Sequence, residues 1–258
     1  DAYIAMQYKS LTPQEQARFD PLISGFNPAD MFGVEHIRRV LKTFPGVFCG
    51  IGEFSIYKEF VSSKIAGEKA TLTNPALGRI LDFAGEVGLV ALIHTDIERV
   101  FPKQDQPPVM ALQTRDLFKR HPKTKIIWAH VGLGRVVQPV KKQAEIIERA
   151  LEDPELDHIY FDISWDEVAK YAIESEESAK RVAGVINRHP HRVLFGTDCV
   201  APKSLKAMTN VFHGYDPVWK LLTPEARRLV QFENHERLFD QAKRDVRAWE
   251  NQIQRKAA

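Results

Sequence analysis

The chain has 258 residues, 44% hydrophobic and 27% charged, with 36 basic against 34 acidic side chains and a formal net charge of +2. So even a balance argues against a nucleic-acid partner, and no apolar run approaches the roughly 18 residues that a bilayer span requires. Cys49 and Cys199, the only cysteines, lie in or beside apolar runs as small buried thiols do, which disfavours a disulfide framework and leans towards a reducing, cytoplasmic setting.

In chain order, six short apolar runs bounded by turn residues are predicted as strands: PLISGFNP (21–28), VFCGIGEF (47–54), LVALIHTD (89–96), KIIWAHVG (125–132), HIYFDISW (158–165) and RVLFGTDC (192–199). Their hydrophobicity is continuous rather than alternating, the pattern of strands buried on both faces. Between them, GVEHIRRVLKTF, NPALGRILDFAGEVG, PVMALQTRDLFKRH, RVVQPVKKQAEIIERAL and EVAKYAIESEESAKRVAGVINRH carry helical spacing of apolar residues. Three helix ends share one grammar, KTFPGVFCG, KRHPKTKIIW and NRHPHRVLFG, in which proline stops the helix and a strand follows.

Alternation of this kind predicts parallel strands with right-handed helical crossovers. No Gly-x-Gly-x-x-Gly follows an early strand, and polar residues gather instead at the C-terminal ends of different strands: Asn27, Glu53, His94, Asp96, His130, Asp162, Ser164 and Asp198. Polar groups so placed describe the catalytic face of a (β/α)₈ TIM barrel, here read as a single domain over 1–258. On that reading His94 and His130 end adjacent strands and point into one pocket.

Two imidazoles and a carboxylate at a barrel mouth suit zinc or a similar divalent ion. Asp198 could orient a bound water and accept its proton, or simply cap the turn after its strand. Glu53 is a further candidate ligand, or else a buried acid paired with Lys58 or Arg135. Arg135 could hold a substrate carboxylate or phosphate, and Trp165 and Tyr57 could wall the pocket against an apolar part of the substrate. The remaining histidines read as surface or packing residues, with His213 the one that could touch substrate.

The ordered set GIGEF, ALIHTD, IIWAHVGLGR, IYFDIS, RVLFGTDC and FENHERLF resembles the amidohydrolase superfamily, in particular its amidohydrolase-related, metal-dependent branch. The resemblance implies that His94 is the fifth-strand metal ligand, His130 the sixth-strand histidine and Asp198 the eighth-strand aspartate. Asn234, Arg237 and Leu238 match the terminal helix. It further implies a His-x-His ending the first strand, whereas the His-x-His of this sequence, His189-Pro190-His191, precedes the run RVLFGTDC instead of ending a strand. The expectation is therefore that two strands precede residue 1, the first ending in His-x-His. The source gene, or an intact mass, checks it.

The function so implied is a metal-dependent hydrolase in which activated water attacks an amide, ester or lactone carbonyl of a small substrate, with Asp198 and His130 catalytic. A decarboxylase or hydratase of the same family is an alternative, as is a degenerate barrel that only binds a ligand. The partner expected is a small molecule, and a homo-oligomer is compatible with it.

Overall fold

A computed structural model of the chain describes residues 1–57, 71–98, 108–134, 139–140 and 142–257. They form two compact units: Asp1–His94 with Leu117–Ile126 and Arg237–Ala258, and Thr95–Asp116 with Ile127–Glu236.

The first unit opens with helices α1 (Ala2–Ser10) and α2 (Pro13–Gln16), the latter started by a Thr12/Glu15 capping box. Strand β1 (Leu22–Ile23), helix α3 (Gly33–Thr43), strand β2 (Gly50–Tyr57), helix α4 (Pro75–Val87) and strand β3 (Val90–Thr95) follow. β1 and β2 are parallel, Leu22 opposite Gly50 and Ile23 opposite Ile51, and β3 lies next to β2. Helix α4 shows why these boundaries fall where they do. Asn74 caps its start by accepting from the Ala76 N–H, Pro75 stands at the first helical position, and Gly88 ends it in the left-handed region at φ 85°. Ile23, Ile51, Ile56, Leu77 and Ile80 are fully buried and form the core.

The second unit takes in most of α5 (Val109–Arg120) and strand β4 (Ile126–Trp128), which ends in a 3₁₀ turn over Ala129–Gly132. Helix α6 (Gln143–Glu152), strand β5 (Ile159–Asp162), helices α7 (Asp166–Ala172) and α8 (Glu176–Arg188) and strand β6 (Val193–Leu194) complete the alternation. β5 and β6 are parallel, Phe161 opposite Val193 and Asp162 opposite Leu194. Beyond β6 come α9 (Leu205–Gly214), α10 (Asp216–Trp219), α11 (Pro224–Arg228), a π-helical turn and α12 (Asn234–Ala257), whose greater part belongs to the first unit. Aromatic rings knit this unit, with Phe195 5.2 Å from Trp219, 5.4 Å from Tyr215 and 5.6 Å from Phe212.

Each of the six predicted strands overlaps an observed one, and β2 runs on to Tyr57, past the predicted end at Phe54. The helix expected over 167–189 is two helices, because the Ser175 hydroxyl accepts from the Ser178 N–H at 3.0 Å and starts a new helix there. In 135–151 the described helix is α6, and Arg135–Gln138 lie outside the described residues. No described helix is long and apolar enough to cross a membrane.

Cys49 is buried in the first unit and Cys199 half-buried in the second, both as free thiols. Burial pushes the Cys49 thiol up from 9.0 to about 12, with Asp20 adding to the shift. A thiol that keeps its proton longer when folded makes the unfolded chain the stronger acid, so its contribution to stability is complete below about pH 9 and is lost as pH rises towards 12. Cys49→Ala should therefore lose less stability than the parent between about pH 8 and about pH 11. Urea unfolding across that range measures the difference.

Candidate functional site

Within the first unit, β2 and β3 set Glu53 beside His94. The imidazole of His94 is wholly buried, and its Nδ1 lies 3.1 Å from Oε1 of Glu53, which keeps a quarter of its side chain exposed. Gly52 allows this approach: its φ is 123°, and a Cβ there would stand 2.3 Å from the carbonyl oxygen of Leu92. Tyr57 is the last residue of β2, half-buried.

The second unit assembles a larger constellation. His130 sits in the turn after β4 at φ 56°, also buried, its Nδ1 2.9 Å from Ser164 Oγ and 3.9 Å from Asp162 Oδ2. Asp162 ends β5 and grips Ser164 twice: Oδ1 accepts the Ser164 N–H at 2.6 Å and Oδ2 accepts its hydroxyl at 2.7 Å. On the other side of the ring, Nε2 of His130 lies 3.8 Å from Oδ2 of Asp198, which is about one third exposed. Trp165 is buried, its ring centroid 5.0 Å from that of His130.

Backbone conformation marks the same residues. Among the described residues, six that are not glycine have positive φ, and His130, Trp165 and Asp198 are three of them. Each such residue costs on the order of 1–3 kcal/mol and persists only where its surroundings hold it. For Trp165 one restraint is visible. The hydroxyl of Tyr215, fully buried, donates to the carbonyl oxygens of Ile163 and Trp165, pinning the turn that carries Ser164.

The Amidohydro_2 family model, described as amidohydrolase, matches residues 57–241. The chain belongs to the amidohydrolase family. Solved structures agree in fold. A dihydroxybenzoic acid decarboxylase from Polaromonas sp. JS666, with bound manganese and the inhibitor 2-nitroresorcinol, is similar at 15% identity and a TM-score of 0.55, covering 93% of this chain and 73% of that one. A proposed 2-pyrone-4,6-dicarboxylic acid hydrolase from Pseudomonas putida is similar at 12% identity and a TM-score of 0.54, covering 93% and 77%. Dihydroorotase from Campylobacter jejuni is similar at 15% identity and a TM-score of 0.52, covering 85% of this chain, which spans 65% of the dihydroorotase chain. A search of curated proteins finds no match. The fold is the α/β TIM barrel of the amidohydrolase superfamily, with parallel strands.

Of the residues singled out in this amidohydrolase-family sequence, the structure pairs Glu53 with His94 in the first unit and brings His130, Asp198 and Trp165 together in the second. Arg135 and Lys58 lie outside the described residues. His213 is an exposed helix residue 3.9 Å from Asp216, and the buried His121 pairs with Asp82 at 2.7 Å.

Sequence reasoning assigned no role to Ser164 or Asp162 beyond their strand-end position, and missed Tyr215 altogether. A serine two residues after an aspartate is a weak signal, and Tyr215 in FHGYDPVW offers none. The donors fit a divalent ion chemically. An imidazole whose Nδ1 is engaged by a carboxylate, or by a hydroxyl backed by one, has its Nε2 oriented for a metal, and this arrangement recurs around metal-ligating histidines.

Burial and the nearby carboxylates of Asp162 and Asp166 raise the Tyr215 phenol well above its ordinary value, so it remains a hydrogen-bond donor at any working pH. Tyr215→Phe should leave the two carbonyl oxygens short of a donor and cost about 1–3 kcal/mol. A lower urea midpoint with an unchanged slope is the expected readout.

Proposed function

We propose that this chain is a metal-dependent amidohydrolase, with His94, backed by Glu53, a metal-binding group of the first unit, and His130 and Asp198 the reactive groups of the second. The observation that carries the reading is the state of the two imidazoles in a chain of this family: His94 is buried near the end of β3 and His130 in the turn after β4, with Nδ1 held by Glu53 in one and by the Ser164–Asp162 pair in the other.

Zinc suits histidine and carboxylate donors, and manganese, which the Polaromonas decarboxylase binds, accepts them too. A bound divalent cation supplies Lewis acidity and lowers the pKa of water towards neutrality. The chain's own groups do the rest. Asp198, partly exposed, takes the proton of the attacking water and returns it to the leaving group of an amide, ester or lactone. His130 ligates a cation or polarises the substrate carbonyl, and the indole of Trp165 shields that imidazole from solvent. Tyr57 and Trp165 offer apolar walls, and Arg135 a place for a substrate carboxylate.

A second reading, metal-dependent decarboxylation, is favoured by the likeness to the Polaromonas enzyme. Product analysis separates the two, since carbon dioxide released without water consumed belongs to decarboxylation alone.

Elemental analysis tests the metal assignment. His94→Ala should carry less zinc or manganese than the parent while keeping the parental circular dichroism spectrum, and equal metal content in both would defeat it. Asp198→Asn should lower kcat by about 10²–10⁴-fold, with substrate binding largely kept, on whichever small lactone, amide or hydroxybenzoate the parent turns over. Near-parental turnover would remove Asp198 from the chemistry.

A further inference from the structure

We propose that Ser164 is a positioning residue that locks His130 in the Nδ1–H tautomer, by giving its one hydroxyl proton to Asp162 and accepting the proton of the imidazole. The inference gives the metal-site role of His130 a cause and rests on that role for its purpose, while its geometry stands apart from it.

A serine hydroxyl has one proton and two lone pairs. Ser164 Oγ has two close polar partners, Asp162 Oδ2 at 2.7 Å and His130 Nδ1 at 2.9 Å. A carboxylate can only accept, and Asp162 already accepts the backbone N–H of the same serine through Oδ1 at 2.6 Å. The hydroxyl proton therefore points to Oδ2, leaving a lone pair towards the imidazole. Nδ1 must then carry a proton to make its hydrogen bond, and in the neutral ring Nε2 is left bare.

Without this relay the preference would run the other way. Oδ2 of Asp198 stands 3.8 Å from Nε2, and a carboxylate there favours a proton on that nitrogen, where it would block a metal or an incoming proton. Ser164 and Asp162 oppose that pull. The relay is itself held in place: Asp162 pairs with Leu194 in the β5–β6 register, and Tyr215 fixes the carbonyls on either side of Ser164.

Nitrogen-15 NMR of histidine-labelled, metal-free protein reads the tautomer directly, with His130→Gln assigning the ring and the pH raised until the ring is neutral. The parent should show a protonated Nδ1 and a bare Nε2. Asp162→Asn should reverse this. The Ser164 N–H still needs an acceptor, so the amide oxygen faces it and the NH₂ faces Oγ, which then donates to Nδ1 and moves the ring proton to Nε2. A protonated Nε2 in the parent, or an unchanged tautomer in Asp162→Asn, would overturn the proposal. Should that variant not fold, the parent spectrum still decides, and Ser164→Ala, which also removes the acceptor, should raise the Nε2–H population while Ser164→Thr restores the parental tautomer.

Manganese titration adds a readout tied to the metal role. Asp162→Asn should bind about 10–100-fold more weakly than the parent. Tautomers that behave as stated in a protein that binds no manganese would leave the relay standing and remove the metal-site reading.

Discussion

An imidazole taken out of water must have its ring proton placed by the protein, and much of the local structure around His94 and His130 answers to that requirement. Both rings are buried, where an unpaired ring nitrogen would cost on the order of 1–3 kcal/mol. His94 is met directly by Glu53 from the neighbouring strand. His130 is met indirectly, through a serine whose own hydroxyl is committed to Asp162. The second solution is the more specific, because a bare carboxylate beside Nδ1 would stabilise a doubly protonated ring as well, whereas an accepting hydroxyl backed by a carboxylate sets the proton's position with less gain for the cation.

Meeting that requirement needs unusual backbone at the strand ends. His130, Trp165 and Asp198 hold left-handed or neighbouring positive-φ conformations that side-chain-bearing residues seldom adopt, and Gly52 brings β2 against Leu92 more closely than any residue with a Cβ could. Such strain lasts only where packing opposes its release. Tyr215 illustrates the restraint, since it is fully buried, packs its ring against Phe195 and Trp219, and ties down the turn between β5 and α7 through its hydroxyl. Asn234 does similar service below β6, donating to the carbonyl oxygens of Pro190 and Val193 from a fully buried position. Its place in the terminal FENHERLF segment thus has a physical reason: it satisfies backbone where a helix end turns into a strand.

The family's fold accommodates different reactions because the strands supply a rigid frame and the residues after them supply the chemistry. At 12–15% identity, the structures similar to this chain include one described as a decarboxylase and one as a proposed hydrolase. What differs between such enzymes must lie in strand-end side chains and in the segments that follow them.

The sequence alone determined the periodic features. Continuous apolar runs separated by amphipathic segments have only a few packed solutions, so the six strands, their parallel sense and the strand-end position of His94, His130 and Asp198 were legible without coordinates. Ordered short motifs were enough to reach the family, because strand ends keep their order along the chain. Tertiary structure decided everything that rests on distance. Pairing of Glu53 with His94 depends on the register of two strands 41 residues apart at those positions. The hydroxyl relay depends on a turn after β4 meeting a turn after β5, 34 residues on. Tyr215 reaches Ile163 across 52 residues of chain. Periodicity reports which face of an element is buried. Proton placement and backbone strain are properties of atoms a few ångströms apart in space, and no local pattern encodes them.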